Sequence, residues 1–226
     1  LISCRQPEYS AFEWSAQDVF GEEVEINAME FPSAIVGSFQ GQDTFSQMES
    51  IQKEKVTFEM SAREHKEQAK QTLSVAVLTV SDTRTLENDL GGNLIASLLE
   101  QAGHRVSQRK IVRDECMVIR ALAMELLDSD GVDALLVTGG TGLAARDQTT
   151  EAIEGLYDAK IPGYGELFRM LSFQEIGSAA MLSRASGGRR GQQVILTMPG
   201  SPAGVQLAME KLIVPELPHL VHHAGK

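Results

Sequence analysis

Two short, almost wholly apolar runs constrain the fold most: Ser74-Val75-Ala76-Val77-Leu78-Thr79-Val80 and Val132-Asp133-Ala134-Leu135-Leu136-Val137. Runs of this length, rich in β-branched residues, read as strands buried on both faces, as in a parallel sheet covered by helices. The chain between and after them alternates accordingly. Asn93 to Ala102 places apolar residues at 94, 95, 98 and 99, a helical spacing that Gly103 ends. Arg105 to Val112 reads as a second strand, and Met117 to Leu127 repeats the helical pattern at 118, 119, 122, 126 and 127. Asp133 to Val137 is the third strand. A helix is expected from about Thr149, a turn at Ile161-Pro162-Gly163 and a helix over Glu166 to Glu175. Ser186 to Gly191 reads as a hairpin or loop, Gln192 to Met198 as a strand and Pro202 to Ile213 as a helix. This alternation predicts an α/β fold, a three-layer sandwich around a mostly parallel sheet.

The third strand runs directly into Thr138-Gly139-Gly140-Thr141-Gly142, followed by Arg146-Asp147. A loop almost free of Cβ atoms lets backbone N–H groups approach an anion closely. An arginine and a carboxylate on the same rim add charge neutralisation and a potential metal ligand. A phosphate-bearing ligand is the expectation. Gly140-Thr141-Gly142-Leu143-Ala144-Ala145 also fits the GxGxxA dinucleotide fingerprint, but it follows the third strand and no ribose-binding acid follows about twenty residues on. A Walker A loop would need Gly-Lys-Ser/Thr at its end, which is missing.

In open parallel sheets, ligands bind beyond the carboxyl ends of the strands. Ser81-Asp82, Arg113-Asp114-Glu115, the glycine loop and Pro199-Gly200-Ser201-Pro202 all fall there. Each has a plain alternative: Asp114 or Asp82 as a cap, Asp147 as a partner of Arg146, Ser201-Pro202 as a helix start. Convergence of four segments on one edge outweighs any single one. His104, His219, His222 and His223 lack HExxH or triad context and are expected at the surface.

The net charge of −11 is uneven: residues 1–60 hold three Lys/Arg against eleven Asp/Glu. An acidic chain with no basic run argues against general nucleic-acid binding. No apolar run is long enough for a membrane span, and Leu1 to Pro7 lacks the features of a signal peptide. Cys4 and Cys116 have neither CxxC spacing nor a histidine companion, which fits a cytoplasmic protein. Residues 1–59 carry eight of the twelve aromatic residues but no sustained period. They read as a poorly ordered N-terminal extension, or as a stretch preceding a true start at Met60, with one domain over residues 60–226.

Thr79-Val80-Ser81-Asp82-Thr83-Arg84, the glycine loop with Arg146-Asp147, and Pro162-Gly163-Tyr164-Gly165-Glu166-Leu167-Phe168-Arg169 occur in this order, followed by Ser183-Arg184-Ala185 and Met198-Pro199-Gly200-Ser201-Pro202. Together they resemble the MogA/MoaB molybdenum-cofactor biosynthesis family, with Phe168 to Gly177 leaning toward the MoaB branch. The related gephyrin G domain shares the pattern. The resemblance covers roughly residues 62–226. It implies a molybdopterin adenylyltransferase: molybdopterin and Mg·ATP give adenylylated molybdopterin and pyrophosphate, in a homotrimer or homohexamer. The family's two essential carboxylates align with Asp114 and Asp147. Beside two anionic substrates they would repel them unless a cation lies between, so the resemblance implies that they act through Mg²⁺. Arg146 and Arg169 are candidates for countering the remaining negative charge. The family's pterin and phosphate contacts map onto Ser81, Asp82, Asp89, Gly139, Gly140, Thr141, Gly142, Ser172, Ser183 and Ser201. One departure is Asp89-Leu90-Gly91-Gly92, where the family commonly has Asp-x-Ser-Gly. The alternative is a non-catalytic molybdopterin-binding protein of the same branch.

Overall fold

The computed structural model describes residues 72–226. The expectations for residues 1–59, and the start of the domain at 60–71, lie outside the described residues. Strands are β1 (Ser74–Val80), β2 (Arg105–Val112), β3 (Ala134–Thr138), β4 (Ala159–Lys160), β5 (Gly187–Arg190) and β6 (Gln193–Met198). Helices are α1 (Leu90–Gln101), α2 (Cys116–Leu127), α3 (Thr149–Glu154), α4 (Pro162–Ile176), α5 (Pro202–Ala208) and α6 (Val214–Ala224). A 3-10 turn (Gly177–Leu182) follows α4, and a π-turn (Met209–Ile213) joins α5 to α6.

The six strands form one sheet in the order β2-β1-β3-β6-β5-β4. The pairs β1–β2, β1–β3 and β3–β6 are parallel, while β5 and β4 continue the sheet antiparallel. Alternation along each central strand splits the core in two. Val75 and Val77, Ala134 and Leu136, and Val194, Leu196 and Met198 pack on one face beneath α1, α4, α5 and α6. Ala76, Leu78 and Val80, Leu135 and Val137, and Ile195 face α2 and α3 on the other. Both faces are therefore covered, and the three-layer α/β sandwich expected from the alternation is observed.

Register determines where function can sit. Val80 lies opposite Val112, Thr79 opposite Thr138, and Thr138 opposite Met198. The four parallel strands thus end together, and the segments after them start from one edge. From β1 the chain crosses through α1 to β2 on one side, then through α2 to β3 on the other. The order reverses between β1 and β3, the switch point where open α/β sheets hold ligands.

His104 departs from expectation. It is 6% exposed, and its Nδ1 accepts the Leu73 N–H at 3.4 Å. Capping an otherwise orphaned amide at the head of β1 is worth the burial, which lowers its pKa. Among the described residues no helix is long and apolar enough to cross a membrane.

Candidate active site

The loop after β3 is built around two glycines with positive φ, Gly139 at 96° and Gly140 at 63°. A side chain on Gly139 would collide with the Val80 carbonyl, and the Gly139 N–H donates to the Met198 carbonyl at 3.1 Å. Gly139 therefore extends the sheet, and its amide is already used. Among the described residues, the amides of Gly140, Thr141 and Gly142 donate to no protein acceptor. The part of the predicted loop whose amides are left without an acceptor thus narrows to three residues. The loop's other side is fastened to α3, with Thr149 Oγ1 donating to the Gly139 carbonyl at 2.8 Å and Thr149 N–H to the Gly140 carbonyl at 3.1 Å. Seven positions separate Gly142 from Thr149, where α3 begins. A dinucleotide fingerprint needs its helix to open at the glycines, so this loop is of another kind.

The structure brings Asp114 and Asp147 to that loop. A Cβ on Gly140 would stand 2.6 Å from Asp114 Oδ2, and one on Gly142 would stand 2.5 Å from Asp147 Oδ2. Two carboxylates 33 positions apart in sequence thus face glycines only two positions apart. Asp114 Oδ1 accepts the Gln148 N–H at 2.9 Å, and the Asp114 N–H donates to Asp82 Oδ1 at 3.2 Å. Asp147 Oδ2 accepts the Ala144 N–H at 3.0 Å, closing the turn that carries Arg146. Burial raises the Asp114 pKa, and the Asp147 and Asp82 carboxylates raise it further, against the Gln148 hydrogen bond and Arg146, which lower it. Arg146 itself is exposed. Charge therefore accumulates at the loop without a fixed ion pair to cancel it.

Ser81 Oγ accepts the Thr83 and Arg84 amides at 3.3 and 3.2 Å, shaping the turn that presents Asp82. Asp89 is placed differently from a ligand contact. It is 1% exposed; it caps α1 through Gly92 N–H, accepts Thr79 Oγ1–H at 2.6 Å, and lies 3.5 and 3.7 Å from Arg109 and Arg84. Its oxygens are engaged within the fold. Arg84 then reaches the Gly200 carbonyl at 3.1 Å, so Asp89 holds the β1 and β6 segments together from beneath. Ser172, Ser183 and Ser201 converge instead on a separate cavity of about 470 Å³, lined also by Phe168, Pro199 and Leu207. Arg169 donates to the Ala185 carbonyl at 3.3 Å and lines a second cavity of about 440 Å³, whose lining includes neither Asp114 nor Asp147.

Sequence reasoning missed Arg184 and Gln148. Arg184 grips the glycine loop through several main-chain carbonyls. Gln148 touches Asp114 through its amide while its side chain accepts the Cys116 N–H at 2.9 Å. Only its place beside Asp147 could have singled Gln148 out. Cys116 opens α2 half-buried, and Arg190 pairs with Asp128 at 3.1 Å.

This geometry joins a glycine loop, two carboxylates and a serine-lined cavity at one sheet edge. Residues 76–219 match the family model described as "Probable molybdopterin binding domain". The chain belongs to the MogA/MoaB molybdenum-cofactor biosynthesis family. Molybdenum cofactor biosynthesis protein B of Bacillus cereus is 48% identical over 162 residues, covering 71% of this chain and 96% of that one. The Bacillus subtilis protein of the same name is 46% identical over 168 residues, covering 74% and 99%. Among solved structures of the family, a molybdenum cofactor biosynthesis protein B matches with a TM-score of 0.67 at 47% identity, covering 70% of this chain and 98% of that one. The tungsten cofactor synthesizing protein MoaB from Pyrococcus furiosus matches with a TM-score of 0.62 at 34% identity, covering 70% and 100%. The family match spans all four segments at the sheet edge, and the matched relatives are covered almost end to end.

Proposed function

We propose that this protein acts in molybdenum-cofactor biosynthesis as a molybdopterin adenylyltransferase, transferring AMP from ATP to the terminal phosphate of molybdopterin with release of pyrophosphate. The observation that carries this reading is the approach of Asp114 and Asp147 to Gly140 and Gly142 of one loop. Phosphoryl-type transfer needs little covalent participation from a protein and depends on positioning and charge stabilisation. The amides of Gly140, Thr141 and Gly142, without acceptors among the described residues, suit phosphate oxygens, and exposed Arg146, close enough to Asp114 to lower its pKa, supplies positive charge. Ser172, Ser183 and Ser201 offer hydroxyls to the pterin substrate in a cavity with an apolar wall.

Asp114 and Asp147 fit a bound Mg²⁺. The Asp114 carboxyl is raised partly by its acidic neighbours, a repulsion that a cation relieves. Among the described residues no group of three His, Cys, Asp or Glu side chains can hold a metal unaided. That suits Mg²⁺, which takes one or two carboxylates and completes its shell with phosphate oxygens and water. When bound, the ion supplies neutralisation of the phosphate charge that grows during transfer. Asp82 orients the Asp114 main chain, and Gln148 holds its carboxylate toward the loop.

Separate Asp114→Asn and Asp147→Asn substitutions test the reading. AMP transfer, followed as pyrophosphate release from molybdopterin, ATP and Mg²⁺, is expected to fall at least about a thousandfold. Molybdopterin binding, followed by its absorbance or fluorescence, is expected to stay within about threefold because the serine cavity is separate. Unchanged turnover in either variant refutes that residue's role. Molybdopterin binding by the wild type without pyrophosphate release would leave the pterin-binding alternative. The reading also includes self-association, supported by an exposed apolar face on α4 and the 3-10 turn after it.

A further inference from the structure

Arg184 has no role in the transfer described above, yet among the described residues no other side chain donates to as many carbonyls of the segment from Gly139 to Asp147. Its N–H donates to the Thr141 carbonyl at 3.1 Å. Its guanidinium donates from Nε to the Gly142 carbonyl at 2.8 Å and from Nη2 to the Asp147 carbonyl at 2.6 Å. The remaining branch, Nη1, pairs with Glu151 of α3. One rigid, planar group thus ties both ends of the turn that runs from Gly142 to Asp147. The residue before it, Ser183, lines the serine cavity.

We propose that Arg184 is a positioning residue of the active site: its guanidinium fork fixes the Asp147 main chain against Gly142, and so sets the Asp147 carboxylate relative to the loop amides. This rests on the adenylyltransferase reading. A carboxylate must be held within a fraction of an ångström to serve transfer, and a turn of exposed residues cannot do that unaided. The side chain of Glu151 is 55% exposed, so its ion pair is solvent-screened and orients the guanidinium without carrying the effect. Lysine would keep the charge and the main-chain bond to Thr141, but it has a single ammonium where the fork spans two carbonyls.

Arg184→Lys, Arg184→Ala and Glu151→Gln test this. For Arg184→Lys, kcat is expected to fall about 10- to 100-fold while KM for molybdopterin stays within about twofold. Its Mn²⁺ affinity, titrated by electron paramagnetic resonance without substrates, is expected to weaken. Amide exchange over residues 140–148 is expected to quicken while the sheet stays protected. Arg184→Ala reproduces this loss more strongly, and Glu151→Gln stays within about threefold of wild-type kcat.

Wild-type kcat in Arg184→Lys overturns the proposal, as does an equal loss in Glu151→Gln. A fall in Tm with kcat reduced only in proportion to the folded fraction also overturns it, because that outcome describes a structural arginine. If the wild type transfers no AMP, the adenylyltransferase reading fails by itself. Exchange and Mn²⁺ titration then decide the clamp: both unchanged in Arg184→Lys overturns it, and both altered upholds it.

Discussion

Gly91 and Gly92 stand side by side in the first turn of α1 and have opposite reasons to be glycine. A Cβ on Gly92 would run into the Asp89 carboxylate and stand 2.9 Å from both Thr79 Oγ1 and an Arg109 nitrogen. A Cβ on Gly91 would meet nothing nearer than 3.6 Å. Gly91→Ala is therefore expected to stabilise the protein by about 0.5–1 kcal/mol, the backbone entropy glycine loses in a helix. Gly92→Ala is expected to cost more than about 2 kcal/mol, because it disrupts a buried carboxylate and the bonds that satisfy it. Urea denaturation of the two variants checks both signs. The departure from Asp-x-Ser-Gly at Gly91 is thus not forced by crowding. Asp114 gives a pH-dependent prediction of its own. Its folded pKa is raised, so the native state holds that proton more tightly than the unfolded chain does. Stability from this group is complete below the unfolded value and is lost as pH rises through the raised folded value. Asp114→Asn has no such proton to lose, and its Oδ1 can still accept the Gln148 N–H. Without Mg²⁺, the variant's Tm is expected to exceed wild type at pH 7 and to converge with it near pH 3. A higher wild-type Tm at pH 7 would contradict the repulsion. If the variant is the more stable, stability and transfer pull on this carboxylate in opposite directions.

Elements were legible where their pattern is local, and less so where a tertiary contact overrides it. The limits of β1 and β2 coincide with the strands expected over Ser74 to Val80 and Arg105 to Val112, and Gly103 ends α1 with φ at 81°. The hairpin reading of Ser186 to Gly191 holds, because β5 returns antiparallel onto β6. By contrast α1 begins at Leu90, not Asn93. Two glycines argue against a helix by propensity, but the Asp89 cap and the close packing beneath it decide otherwise. Helix α4 starts with Pro162 at its first position, and Pro162-Gly163 had read as a turn; proline suits that place because its missing N–H has no partner there anyway. Two-residue β4 carries no period at all. The helix expected over Pro202 to Ile213 in fact continues to Ala224, through Pro215 and Pro218. Ile213 and Leu217 are buried, and Leu220, Val221 and Ala224 pack against the same core, a spacing that marks a helix through both prolines. The wider π-turn lies just before Pro215, whose ring would otherwise crowd the carbonyl four residues back. The site followed the same rule. Glycines and aspartates are visible as residue types, and the resemblance supplied their partners. That Asp89 faces inward, and that Arg184 holds three carbonyls of the loop, follow from contacts between segments distant in sequence.

At the scale of the whole molecule, half of the large apolar side chains exposed among the described residues lie on α4 and the 3-10 turn after it. On α4 and the 3-10 turn, Phe173 and Ile176 are each 61% exposed, Met181 is 74% and Met170 is 52% exposed. The opposite side of α4 buries Tyr164, Phe168 and Ser172 against the core. A helix needs only one apolar stripe to pack on its own domain, so a second one facing outward costs solubility unless something covers it. A second copy of the chain suits that role, because a homo-oligomer buries like surface on like. Each such side chain covered at an interface contributes about 1.5–3 kcal/mol, so replacing two by carboxylates is expected to weaken association at least about a hundredfold. If the wild type self-associates through this face, Phe173→Glu with Met181→Glu should therefore release monomers at concentrations where the wild type stays assembled, as read by sedimentation or light scattering. Neither side chain lies in the buried core, so the variant's circular dichroism spectrum and Tm measure whether the monomer stays folded. A wild type that sediments as a monomer would remove self-association from the proposed function, and a double variant that keeps its assembly would move the interface to another face.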